Sequence, residues 1–261
     1  MWKLLNLSVL IAIGFPTAGN AFSCNQSNKN DLIVRADAGT SDASGTKSWN
    51  EYSVAISKNY SDCRYNFTAR YEAYDRFGIS NKGFGLEVIS TTADNGYWRL
   101  ATVIGPDAVF RPKWAAELER GKPFKFEDGP FAAIVGSASV KLAEYDATKL
   151  VAVGLAGEFY PRGLNAWATG RVTQTITDKA TLPAAFMVRF DVPLTDTTRV
   201  FTLRATGYEA NLTVLERVNT IAIGVQTQIS SQLNLVASIA EDERSIGPKR
   251  RTTAISLARA F

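Results

Sequence analysis

The chain has 261 residues, with 29 lysines and arginines against 25 aspartates and glutamates and a formal net charge of +4. That small, scattered excess provides no basic footprint for nucleic acid. Histidine is absent altogether, which removes the usual general base from any serine or cysteine nucleophile and the commonest metal ligand, so neither a metal nor a cofactor is implied.

Reading from the start, Lys3 precedes an apolar run from Leu4 to Phe15, followed by Pro16 and the small-residue stretch Thr17 to Ala21. This is the pattern of a secretory signal peptide over 1–21, cleaved after Ala21, which leaves 22–261 as the mature domain. No later run reaches the roughly 18 apolar residues of a membrane-spanning helix. Cys24 and Cys63 are the only cysteines, and an exported pair reads first as a disulfide, with two free thiols as the alternative.

Beyond residue 30 the hydrophobic period is two rather than 3.6. From Arg64 to Tyr74, for example, Tyr65, Phe67, Ala69, Tyr71 and Ala73 alternate with Arg64, Asn66, Thr68, Arg70 and Glu72, so one strand face is apolar and the other polar. With turn residues as punctuation, strands are predicted near 31–38, 49–58, 63–74, 83–92, 96–104, 112–119, 133–143, 148–158, 165–177, 183–192, 198–206, 218–229, 231–239 and 251–261. Pro123, Asp128-Gly129 and Pro130 break the pattern over 120–132, which is left as a long connection. Longer outside connections are expected at 39–48, 75–82, 207–217 and 240–250.

Strands of this length exceed the 5–6 residues common in soluble sandwiches and match the roughly 9–11 needed to cross a bilayer at a tilt. The predicted fold is therefore all-β, a transmembrane antiparallel β-barrel of about 14 strands with 12 as the alternative. Trp49, Trp98, Trp114 and Trp167 all fall at predicted strand ends, as the aromatic girdle of a barrel would place them. In that topology Cys24 and Cys63 share the periplasmic side. A bridge there would close a loop of about 40 residues, worth roughly 3–4 kcal/mol in the chain-entropy model.

The predicted leader, the long alternating strands and the final Phe261 resemble bacterial outer-membrane barrels, whose last strand is read by the barrel-assembly machinery. Three short motifs, Asp75-Arg76-Phe77-Gly78, Pro106 to Trp114, and Tyr160 to Trp167, look like the YaiO family of outer-membrane β-barrels. The likeness runs from about Trp49 onward. It implies an outer-membrane location with lipid and lipopolysaccharide as neighbours, identifies no functional residues, and lends support to envelope polysaccharide export. Arg259 departs from the apolar residue expected near the end of the last strand, and its guanidinium can snorkel to the headgroups.

If the apolar faces meet lipid, the opposite faces line a lumen with Arg35, Asp37, Glu51, Arg64, Arg70, Glu72, Glu87, Lys113, Glu117, Lys141, Arg189, Asp191 and Arg204. Such mixed charge fits either a narrow polar pore or a barrel braced shut by ion pairs. Paired carboxylates for glycan hydrolysis could come from Glu117 with Glu119 or from Glu241-Asp242-Glu243. The second set is expected in a solvated outside loop, and without histidine the chain is not expected to be an enzyme. Lys249-Arg250-Arg251 could touch lipopolysaccharide phosphates from the last outside loop. The predicted function is a passive channel or export conduit for polar solutes, with a closed structural or partner-binding barrel as the alternative.

Overall fold

The computed structural model describes residues 32–43, 48–60, 64–76, 78–146, 148–211, 214–246 and 248–261. Within them the chain forms fourteen strands: β1 (Leu32–Ala43), β2 (Trp49–Tyr60), β3 (Tyr65–Arg76), β4 (Ile79–Thr91), β5 (Tyr97–Ile104), β6 (Trp114–Lys125), β7 (Phe131–Glu144), β8 (Lys149–Pro161), β9 (Trp167–Thr177), β10 (Ala185–Pro193), β11 (Thr198–Asn211), β12 (Val214–Ser230), β13 (Leu233–Arg244) and β14 (Arg250–Ala260). Each pairs antiparallel with its chain neighbours, and β1 pairs with β14, so the sheet closes into a barrel. The seam runs from Ile33 opposite Ala260 to Ala43 opposite Arg250. At its end the Phe261 amide donates to the Leu32 carbonyl at 2.9 Å.

Closure matters because a spanning sheet in hydrocarbon must pair every backbone N–H and C=O internally. The outward faces carry what lipid would receive: Tyr52, Val54 and Ile56 on β2, Leu86 on β4, Val153 and Leu155 on β8, Phe186 and Phe190 on β10, Ile221 and Ile223 on β12, and Ile255 and Leu257 on β14 are all exposed. An apolar belt of this extent on a water-soluble protein would be an aggregation surface. The inward faces alternate small residues with charged ones, and the period of two that reads as amphipathic strand in the sequence is this inside/outside alternation.

An even strand count puts both ends of the barrel wall at one rim, the periplasmic one by the rule for such barrels. At that rim the connections are short, while the opposite rim carries the two longest, 105–113 between β5 and β6 and 178–184 between β9 and β10.

Several expected connections are in fact strand. The stretch 120–132 is not a long interruption: β6 continues through Lys125 and β7 starts at Phe131. Pro123 is accommodated because β6 outruns its pairing with β5, which stops at Gly121, and has only β7 beside it there. The tight turn that follows is held by Arg162 of the β8–β9 turn, whose Nη2 donates to the Phe126 carbonyl at 2.7 Å and whose Nε donates to the Gly129 carbonyl at 3.2 Å. The segments 207–217 and 240–250 shorten likewise, because β11, β12 and β13 extend at the outer rim through polar residues such as Glu216, Arg217, Asp242 and Arg244. An apolar alternation stops where the lipid stops, but backbone pairing does not.

Candidate functional site: the charged lumen

Inward-facing charges gather into ion-pair networks, some within one strand and others across neighbouring or more distant strands. Arg35 on β1 donates to Asp37 at 2.7 Å and to Ser256 at 3.0 Å, and Ser53 of β2 donates to the same carboxylate at 2.6 Å. Arg70 and Glu72 pair at 2.7 Å on β3. On β10, Arg189 grips Asp191 through Nε at 2.7 Å and Nη2 at 2.6 Å, and its guanidinium lies 4.1 Å from the Phe201 ring centroid.

The largest network joins five strands. Arg99 of β5 pairs with Glu87 of β4 at 2.7 Å and reaches Glu117 of β6 at 3.7 Å, while Arg171 of β9 meets the same Glu117 at 3.2 Å and Ser139 of β7 at 3.0 Å. Arg171 spans two intervening strands by lying across Gly154 of β8. A Cβ there would sit 2.7 Å from Ser139 Oγ and 3.4 Å from the Arg171 guanidinium, so a larger residue would require the Ser139 hydroxyl to turn away. Lys141 of β7 stands directly opposite Glu117 in the register. Glu119 accepts from the Tyr97 hydroxyl and lies 3.7 Å from Arg171. Both carboxylates of the Glu117/Glu119 pair are thus bound to cations.

At the outer rim two loops fold inward. Asn81 of β4 is buried, its Oδ1 accepting from the backbone N–H of Val109 at 3.0 Å and Phe110 at 3.2 Å while its Nδ2 donates to the Asp107 carbonyl at 3.4 Å. These bonds draw the β5–β6 loop into the mouth, where Phe110 is buried and Arg111 binds Glu72 at 3.2 Å and stacks 3.8 Å from the Tyr74 ring centroid. From the β9–β10 loop, buried Leu182 packs with Ala115, Ala143 and Leu150 of the wall.

Five expected positions differ. Trp49 is inward and buried, clasped by the guanidinium groups of Arg76 at 4.2 Å and Arg250 at 4.5 Å from its ring centroid. Trp167 shares the inward parity of Thr169 and Arg171, stacking on Tyr160 at 6.2 Å with Arg199 5.3 Å away. These two are therefore lumen aromatics rather than girdle residues, whereas Trp98 and Trp114 face outward and are exposed. Arg204 points outward from β11, on the face opposite buried Leu203 and Ala205. Arg64 lies exposed in the turn before β3, and Lys113 lies in the loop before β6, paired with Asp146 at 3.0 Å.

Arg35, Asp37, Glu51, Arg70, Glu72, Glu87, Glu117, Lys141, Arg189 and Asp191 stand on inward faces. Sequence reasoning passed over Arg99, Arg171 and Arg199, gave Arg76 no place in the lumen, and put Asp242 and Arg250, which pair at 2.6 Å, in the last outside loop. Parity could have found Arg99 and Arg171, since each alternates with outward apolar residues. Asp242 is inward on β13, with Glu241 outward beside Lys249 at 2.8 Å, rather than both lying in a loop. Phe261 is exposed at the periplasmic rim, 4.9 Å from Arg259. Cys24 and Cys63, with the leader, lie outside the described residues.

A closed sheet with an apolar outer belt and a charged interior defines an outer-membrane β-barrel. No family model and no curated protein matches the chain, so the YaiO likeness rests on its short motifs. Solved structures do share the fold. A chain described as a bacterial polysaccharide outer membrane secretin superposes with a TM-score of 0.62 at 10% identity, over 89% of this chain and 99% of that one. The outer membrane protein Omp33 of Acinetobacter baumannii gives 0.56 at 10% identity over 89% and 98%, and the CymD monoaromatic hydrocarbon channel gives 0.53 at 9% over 100% and 95%.

Proposed function

We propose that the protein is a non-enzymatic, passive channel or export conduit of the outer membrane for polar solutes, envelope polysaccharide among them. The observation that carries this reading is the state of the interior charges. Arg70, Arg99 and Arg171 stay substantially water-accessible inside a wall whose outer face is apolar, and charges held in a confined space remain so only if the space is wet. The stacked Tyr160 and Trp167 at the periplasmic mouth add ring faces of the kind sugars pack against. A fold shared with a polysaccharide secretin and a hydrocarbon channel is consistent with conduction. We further propose that the chain is a YaiO-family barrel, with lipid and lipopolysaccharide around its belt and the assembly machinery reading its last strand.

A second reading, a closed barrel with a structural or partner-binding role, draws on the inward β5–β6 and β9–β10 loops that narrow the outer mouth. Conductance separates the two. Purified protein whose folding is shown by heat-modifiable gel migration should give discrete openings in planar bilayers. Folded protein that never opens would sink the channel reading in favour of the braced barrel.

A further inference from the structure

The lumen's ion pairs are not symmetric toward the water. Side-chain exposure is 46% for Arg70 against 6% for Glu72, and 33% for Arg171 against 20% for Glu117 and 10% for Glu119. Between Arg99 and Glu87, and between Arg35 and Asp37, the two partners are close to equal, and at the outer mouth the order is reversed, Arg76 being more buried than the Glu51 it pairs with. At Arg70 and Arg171 the carboxylates therefore lie nearer the wall than the guanidinium groups paired with them.

We infer that the channel selects anions, its substrates bearing carboxylate or phosphate, because Arg70 and Arg171 present their guanidinium faces to the lumen water while the carboxylates they pair with are the less exposed partners. The inference rests on the channel reading and deepens it. A pair of opposite charges cancels at a distance, but a solute within a few ångströms meets the nearer member first, and low-dielectric walls concentrate that field along the axis. Guanidinium also offers a planar donor fork that carboxylate and phosphate oxygens match, so the same groups that repel cations can pass an anion from one to the next. Arg99 and Arg171 share Glu117, which places a second guanidinium, as exposed as its own partner Glu87, beside Arg171.

The test is the reversal potential of the purified full-length protein in a planar bilayer under a KCl gradient. Chloride preference is expected. A double variant Arg70→Gln with Arg171→Gln should bring the chloride-to-potassium ratio down a few-fold toward unity, and the Arg70→Lys, Arg171→Lys pair should keep it. Potassium preference in the unaltered protein overturns the inference while leaving the channel intact, and does so even if the glutamine variant fails to fold. A folded glutamine variant with an unchanged ratio likewise overturns it. Folded protein with no openings removes the channel reading and this inference with it.

Discussion

Single residues decide how wide the outer mouth stands. Asn81 is the fastening of the β5–β6 loop, since one side chain satisfies two loop amides and a loop carbonyl. Truncation strands the part-buried Val109 N–H and the buried Phe110 N–H, a buried one costing about 1–3 kcal/mol if it finds no water. The loop should then detach rather than stay in place unsatisfied. Asn81→Ala is therefore expected to raise single-channel conductance or its open-state noise with little change in barrel melting, because the wall pairs do not depend on the loop. An unchanged current trace would mean that this loop does not limit flow.

Among the elements, the β4–β5 turn at 92–96 shows how a periplasmic connection is set. The Asp94 carboxyl is held well below the ordinary carboxylate range by the Thr92 hydroxyl first and by Lys122, with the Gly96 amide and Arg120 also binding it. Because the folded pKa is depressed, the turn's contribution is complete above the unfolded value near about 3.9 and is lost as pH falls below it. Asp94→Asn should flatten the acid limb of stability below about pH 4, measured as the denaturant midpoint in detergent across pH. A variant with the same acid limb as the parent would assign that limb to other carboxylates. The same turn explains the orientation of Arg120, which meets Asp94 on one side and lies 5.4 Å from the outward Trp98 ring.

For the whole molecule, the seam between β1 and β14 is what turns fourteen hairpin-linked strands into a closed object. Phe261 contributes one hydrogen bond to it, through its amide to Leu32, worth only about 0.5–1.5 kcal/mol. Its deletion should leave the melting temperature of refolded barrel nearly unchanged while slowing insertion into the outer membrane of cells. Equal insertion of the deleted and intact chains would remove any special part for this residue in assembly. A large loss of melting temperature would instead place its contribution in the seam itself.

The sequence by itself determined the fold class and the approximate places of the strands, because a lipid-facing wall with a polar interior writes its alternation into every strand, while the choice of fourteen strands over twelve came from the closed sheet. It also determined which end of the chain meets which, since a terminal strand with an apolar face needs a partner and β1 supplies it. Parity placed Arg35, Arg70, Glu117 and Arg189 on inward faces for the same reason. Tertiary structure alone decided what parity does not encode. Trp49 and Trp167 sit at strand ends like girdle residues, yet arginines from other strands hold them inside. The path of Arg171 over Gly154 ends on Ser139 and Glu117, two and three strands away, and the inward fold of the β5–β6 loop depends on Asn81, far from it in the chain. Alternation records the medium on each side of one strand, whereas ion pairs and loop fastenings record which strands stand beside one another.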